Sequence, residues 1–220
     1  MAAGCCHCEA KFDGMSLGFR RALWIVIAIN ASMFLVEMAA GSLAGSRALQ
    51  ADALDFLGDT LTYGISLFVL GMSLRARSAA ALAKGLSLAV MGLWVLGSTA
   101  YQTLVMGLPN AQIMGGIGVL ALLANLLSVV VLMRYKDGDA NVRSVWLCSR
   151  NDAIGNVAVM GAAGGVFLSE SAWPDLFVAA LMAALFLWSA EQILRQALHE
   201  RRAALLAIAP SVRESSCGGT

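Results

Sequence analysis

Six long runs of apolar residues divide this sequence, and they limit the possible folds more than any other feature. Each run reaches the roughly 20 residues that an α-helix needs to cross a bilayer core about 30 Å thick. Because lipid offers the backbone no hydrogen-bond partners, runs this long and this apolar predict helices. The fold is therefore predicted to be all-α, a six-transmembrane-helix bundle. The predicted spans are approximately 22–43, 47–74, 82–106, 113–133, 143–168 and 173–194.

Composition agrees with a membrane domain. The chain is 59% hydrophobic and 13% charged, whereas a soluble domain carries about 25% charge. A net charge of +1 gives no reason to expect a nucleic-acid partner. Short breaks separate the spans: GSLAGS, RARS, GLPNAQ, YKDGDANVR and SESAWP. We expect a Cys-rich tail at 1–19, a six-helix domain at 20–197 and a short tail at 198–220.

Basic residues are distributed unequally between the two ends of the predicted helices. Nearly all of them lie at one end: before span one, between spans two and three, between spans four and five, and after span six. They are Lys11, Arg20, Arg21, Arg75, Arg77, Lys84, Arg134, Lys136, Arg143, Arg195, Arg201, Arg202 and Arg213. The other end has only Arg47. By the positive-inside rule, both termini are predicted to be cytoplasmic, in a multi-pass protein of the cell (inner or plasma) membrane.

Three aspartates interrupt the second apolar run. Asp55 and Asp59 are four residues apart and therefore project from one face of a helix, one turn apart. Asp52 lies on much the same stripe, nearest the membrane surface, where a supporting or helix-packing role fits equally well. Each carboxylate inside a bilayer costs roughly 2.5–3.5 kcal/mol on insertion scales, so the group predicts a function that offsets this cost.

The fifth run carries a matching polar pair in the stretch CSRNDAIGNV. Cys148 and Asp152 again have i, i+4 spacing, and Asn156 extends their stripe by one turn. Counted at about 1.5 Å per residue from the predicted ends, this pair overlaps in depth with Asp55 and Asp59. Three carboxylates and a thiolate are four ligands, the number that a tetrahedral divalent cation needs. The alternative is that these groups only make hydrogen bonds between helices.

The stretches NASMFLVEMAAGSLAGSRALQADALDFLGD and CSRNDAIGNVAVM resemble the cation diffusion facilitator family of divalent metal/proton antiporters. The resemblance covers residues 20–197 and implies that an acidic pair in helix two faces a similar motif in helix five. Asp55, Asp59 and Asp152 occupy those positions, whereas Cys148 stands where the family commonly has histidine. Many members also carry a cytoplasmic metal-binding and dimerising domain after helix six, so the short tail suggests a short form of the family.

The N-terminal tail contains a second group of soft ligands, Cys5, Cys6, His7 and Cys8. Thiols of this kind suit Zn²⁺, Cd²⁺ or Cu⁺. Their spacing is too tight for a folded zinc finger, and an incidental tail explains them equally well. They are therefore candidate auxiliary ligands.

Two polar residues and two glycine pairs complete the candidates. Asn30 and Glu37 lie seven residues apart on one face of helix one, and Glu37 is either a proton acceptor, a support for the ligands or a solvated residue near the helix end. GSLAG and GAAGG place glycines at i and i+4, which predicts close helix packing within the chain or the seam of a homodimer.

These features predict a secondary transporter that exports a divalent cation of the zinc and cadmium class in exchange for protons. No prosthetic group is expected. An enzyme is disfavoured because the only nucleophile beside the acids is Cys148, with no histidine to act as its base. The rival interpretation is a non-transporting metal sensor or accessory subunit whose intramembrane acids bind a partner.

Overall fold

The structure is a computed structural model that describes residues 17–69, 74–105, 107–135 and 140–208. These residues form six α-helices and no strand, which confirms the all-α fold. The helices are α1 Leu17–Ala44, α2 Arg47–Val69, α3 Leu74–Val105, α4 Ala111–Met133, α5 Ala140–Ser169 and α6 Trp173–Ile208. Gly45 makes the turn between α1 and α2 with a φ of 68°, a left-handed conformation that glycine adopts without strain.

Five helices in the described part of the chain are long and apolar enough to cross a membrane: α1, α3, α4, α5 and α6. Large apolar side chains cover their outer surfaces, and Leu43, Leu104 and Leu168 are each 83% exposed. A surface of this kind is suited to contact with lipid. The chain is a multi-pass membrane protein. The remaining helix, α2, has 23 residues and is about 35 Å long. Because of its aspartates, it is not among these five apolar helices.

Several helix ends differ from the sequence prediction. The RARS stretch, predicted as a connection, lies inside α3, which begins at Leu74 rather than near residue 82. The last helix continues through the predicted boundary at 197–198 and ends at Ile208. Arginine and alanine are good helix formers, so a helix need not end where its apolar residues do. With 32 and 36 residues, α3 and α6 exceed the roughly 20 that a bilayer core requires.

The acidic helix α2 lies at the centre of the packing, in contact with α1, α3, α5 and α6. Close approach to α1 depends on Gly41, where an added Cβ would lie 3.0 Å from the Gln50 Cγ and 3.1 Å from the Leu49 Cβ. In the GAAGG stretch, Gly165 approaches Pro174 in the same way, whereas Gly161 has no neighbour within 4 Å of that position. Both close approaches therefore occur between helices of one chain.

Two main clusters of buried apolar residues lie at different heights along α2. Leu49, Ala51 and Leu54 belong to the first cluster, with residues of α3, α5 and α6. Tyr63 belongs to the second cluster, with residues from the start of α1 and the end of α4. The stretch of α2 between Leu54 and Tyr63 contains Asp55 and Asp59. Apolar packing above and below this stretch holds the two acids at a fixed height in the bundle.

Candidate metal centre

The three aspartates of α2 point into the protein rather than towards lipid. Asp52 is 2% exposed, Asp59 is 8% exposed and Asp55 is half-buried. The predicted helical spacing places Asp55 and Asp59 one turn apart on the same side, and their carboxyl groups interact electrostatically. The structure thus brings together the acidic pair that the sequence predicted.

Asp152 joins this pair from a different helix, α5. Its carboxyl group interacts electrostatically with those of Asp55 and Asp59. Its Oδ2 atom is buried and has no hydrogen-bond partner among the described residues. An ionised carboxylate can only accept a hydrogen bond. Two ionised carboxylates therefore cannot hydrogen-bond to each other without a proton between them.

The soft ligands cannot be placed. Cys148 falls within α5, but its side chain lies outside the described part of the structure, as do Cys5, Cys6, His7 and Cys8 of the tail. Within the described part, no three His, Cys, Asp or Glu side chains are arranged so that they could hold one metal ion. The described centre is therefore a cluster of carboxyl groups inside the bundle, and assigning Cys148 as its fourth ligand stays a prediction.

Tyr63 contacts this cluster and was missed by the sequence analysis. Its hydroxyl donates a hydrogen bond of 2.5 Å to the Asp59 Oδ2 atom, and its side chain is 1% exposed. The four-residue spacing from Asp59 to Tyr63 repeats that from Asp55 to Asp59, so the signal was present in the sequence. A hydrogen bond of this kind fixes the orientation of the carboxyl group.

The polar residues proposed as supports are all buried. Glu37 of α1 is fully buried beside Asp52 and interacts with both Asp52 and Asp55, which rules out the solvated alternative for Glu37. Asn30 donates from Nδ2 to the Val26 carbonyl of its own helix at 2.9 Å. Asn156 is also fully buried, and neither polar atom of its amide has a partner among the described residues.

A second contact that the sequence did not predict fixes the first turn of α2. Asp175, near the start of α6, accepts hydrogen bonds from the Ser46 hydroxyl at 2.6 Å, the Arg47 N–H at 2.8 Å and the Ala48 N–H at 3.1 Å. The Ser46 Oγ accepts from the Leu49 N–H at 3.0 Å. These bonds satisfy the first three N–H groups of α2, which have no partner within the helix. Asp175 therefore caps α2 from a different helix.

A comparison with known protein families agrees with this arrangement. The cation efflux transmembrane domain matches residues 23–200, from early α1 to the extended part of α6. The chain belongs to the cation efflux family. Membership confirms the resemblance drawn from the motifs of helices two and five.

Individual members of the family give the extent of the similarity. The chain is 28% identical over 193 residues to the zinc transporter ZitB of Escherichia coli, a match that covers 82% of this chain and 62% of ZitB. It is 27% identical over 179 residues to the metal cation efflux system protein CzcD of Cupriavidus metallidurans, covering 75% of this chain and 56% of CzcD. The matched region thus spans about three fifths of these relatives.

Proposed function

We propose that this cation efflux domain exports a divalent metal ion of the zinc and cadmium class from the cytoplasm in exchange for protons. The observation that carries the proposal is the meeting of Asp152 of α5 with Asp55 and Asp59 of α2 inside the bundle. Buried carboxyl groups are costly in a membrane, and they commonly mark an ion or proton pathway. The zinc and metal cation transporters among the similar proteins support the choice of substrate.

The proposed ligands combine hard and soft donors. Asp55, Asp59 and Asp152 supply carboxylate oxygens, and Cys148, one helical turn from Asp152, supplies a thiolate. Four ligands of this kind suit tetrahedral Zn²⁺. The thiolate favours soft or borderline ions over Mn²⁺ and Mg²⁺. Asp52, Glu37, Asn30 and Asn156 surround this set as supporting groups.

Proton exchange follows from the contacts among the carboxyl groups. Before an ion arrives, the neighbouring acids share protons because several negative charges cannot be held together in a medium of low dielectric constant. A doubly charged ion supplies the missing positive charge and displaces those protons. When the site opens to the other side of the membrane, protons return to the carboxyl groups and the ion leaves. One site then serves both fluxes, as the bundle alternates between two conformations.

The direction of transport rests on the distribution of basic residues. Arg20 and Arg21 lie at the start of α1 and Arg134 lies at the end of α4, whereas Arg47 lies at the opposite end of the bundle. The positive-inside rule assigns the former end to the cytoplasm. This orientation, the plasma membrane location and the homodimer stay predictions.

Transport by purified protein in liposomes tests the proposal. External Zn²⁺ or Cd²⁺ should drive proton release from wild-type vesicles, followed with a pH dye and a metal dye together. Asp59→Ala and Asp152→Ala should each abolish both signals while the protein still inserts. Glu191→Gln is the matched control, because this exposed carboxylate pairs only with Arg195, at 2.5 Å, among the described ion pairs. Normal transport by either aspartate variant would refute the site, and a wild type without metal-driven flux would favour a sensor or accessory subunit.

A further inference from the structure

A cavity of about 340 Å³ lies on the side of the bundle between the start of α1 and the end of α4. None of the aspartates lines it, and it plays no part in the proposed transport site. Two arginines line it, Arg21 from α1 and Arg134 from α4, together with Tyr135. Its apolar wall includes Ile25 and Val131. The cavity thus combines positive charge with a hydrocarbon surface.

Among the described residues, no carboxylate neutralises the positive charge of this cavity. Among the described residues the only ion pair joins Arg195 to Glu191, so neither Arg21 nor Arg134 has a carboxylate partner there. The Arg134 guanidinium lies over the Tyr135 ring at 4.8 Å from its centroid, and this ring packs edge-on against Phe19 at 5.4 Å. Aromatic stacking holds the guanidinium in position without reducing its charge.

The small size of Gly18 contributes to the shape of the cavity. An added Cβ at this position would lie 2.9 Å from the Tyr135 hydroxyl and 3.4 Å from an Arg134 nitrogen. A larger side chain would therefore enter the space that the two polar groups border. Replacing Gly18 by a larger residue would fill the cavity without changing its charge.

The two arginines stand at the edge of the hydrocarbon region. Arg134 directly follows α4, whose whole length, Ala111–Met133, is apolar enough to cross the membrane. Arg21 directly precedes the uninterrupted apolar part of α1, which the sequence predicts from residue 22 onwards. Ile25, one turn deeper, is 51% exposed and faces lipid. Guanidinium groups at this depth lie at the level of the phospholipid headgroups.

We infer that this cavity binds one anionic phospholipid. The two guanidinium groups and the Tyr135 hydroxyl receive the phosphate, and an acyl chain lies along Ile25 and Val131. Guanidinium groups bind phosphate oxygens through paired, charge-assisted hydrogen bonds. Basic pockets between transmembrane helices on the cytoplasmic side suit anionic headgroups. Since the lipid contacts both α1 and α4, its binding should stabilise that end of the bundle.

The test compares lipid retention and stability in purified protein. Wild type in mild detergent is mixed with phosphatidylglycerol or phosphatidylcholine, bound lipid is counted by native mass spectrometry, and thermal unfolding is followed. We expect one phosphatidylglycerol to bind and to raise the unfolding temperature, with no such effect of phosphatidylcholine. The double variant Arg21→Gln/Arg134→Gln should bind roughly 30-fold more weakly, since each basic residue near an anionic surface contributes about 1 kcal/mol.

Three further measurements make the result specific. Arg20→Gln removes a neighbouring exposed arginine that does not line the cavity, and it should bind lipid as wild type does. Gly18→Leu keeps both arginines but fills the cavity, and it should lose the lipid. Equal retention by wild type, the double variant and Gly18→Leu would overturn the inference. Equal stabilisation by inorganic phosphate would also overturn it, because the site would then recognise a free anion rather than a lipid.

Discussion

Replacement of Asp175 by alanine is expected to loosen the start of α2, the helix that carries the acidic pair. The substitution removes the acceptor of the Arg47 and Ala48 N–H groups and of the Ser46 hydroxyl. Asp175 and Ser46 are both fully buried, so water does not readily replace the lost carboxylate. A buried donor without a partner costs about 1–3 kcal/mol. Leaving the two N–H groups without a partner should therefore lower the stability of the start of α2 by about 2–6 kcal/mol.

Hydrogen exchange of backbone amides measures this loss at the residues concerned. In Asp175→Ala the Arg47 and Ala48 amides should exchange at least about 30-fold faster, the factor that corresponds to about 2 kcal/mol. Asp175→Asn keeps one carbonyl acceptor but loses the charge that favours a helix N-terminus, so it should have a smaller effect.

A cap at an exposed helix end provides the control. The Asn110 side chain accepts hydrogen bonds from the Gln112 and Ile113 N–H groups at the start of α4, both at 3.1 Å. Because water can reach this end, Asn110→Ala should cost only about 0.5–2 kcal/mol. Unchanged exchange at Arg47 and Ala48 in Asp175→Ala would refute the capping role. If Asn110→Ala destabilises the start of α4 as much as Asp175→Ala destabilises the start of α2, burial is not the cause of the large effect at Asp175.

Three further predictions concern the proposed transport site. Tyr63→Phe removes the hydroxyl that donates to Asp59 and should raise the KM for Zn²⁺ roughly tenfold or more, since a hydrogen bond to a charged group contributes about 1.5–3 kcal/mol; an unchanged KM in the liposome assay would exclude this role. Cys148→Ser should lose Cd²⁺ transport, and Cys148→Asp should allow transport of Mn²⁺. If Cys148→Ser preserves both the flux and the Cd²⁺/Zn²⁺ transport ratio, the thiol is not a ligand. Deletion of residues 1–14 should raise the KM and leave the maximal flux nearly intact, because tethered ligands raise the local metal concentration; an unchanged KM would mean that the tail thiols do not capture metal.

The helices of this chain could be predicted from the sequence because each follows from a local pattern. Runs of apolar residues predict the membrane spans, and the four-residue spacing of Asp55 and Asp59 places them on one face. Depth counted along two antiparallel helices predicts that Asp152 lies at the height of this pair. The ends were predicted less well, since Arg75 and Arg77 continue α3 beyond the apolar region.

Contacts that depend on the rotation and tilt of neighbouring helices could not be predicted in this way. The capping of α2 by Asp175 joins residues almost 130 positions apart, and no spacing rule connects them. The burial of Glu37 against Asp52 likewise depends on which side of α1 faces α2. Tyr63 differs from these, because its spacing from Asp59 was visible and only its role as a hydrogen-bond donor was overlooked.

The polarity of α2 also bears on how the chain is made. At a translocon, a helix enters the lipid when its own side chains favour that medium. Three aspartates oppose this by roughly 7.5–10.5 kcal/mol, at 2.5–3.5 kcal/mol each. Only Gly45 and Ser46 separate α1 from α2, so the two helices must leave the translocon together as a hairpin, with Glu37 and Asp52 facing each other inside it. Asp152 and Asp175 are synthesised much later. The acidic face of α2 is therefore completed only when α5 and α6 emerge, and until then the nascent protein depends on the α1–α2 hairpin to keep α2 in the membrane.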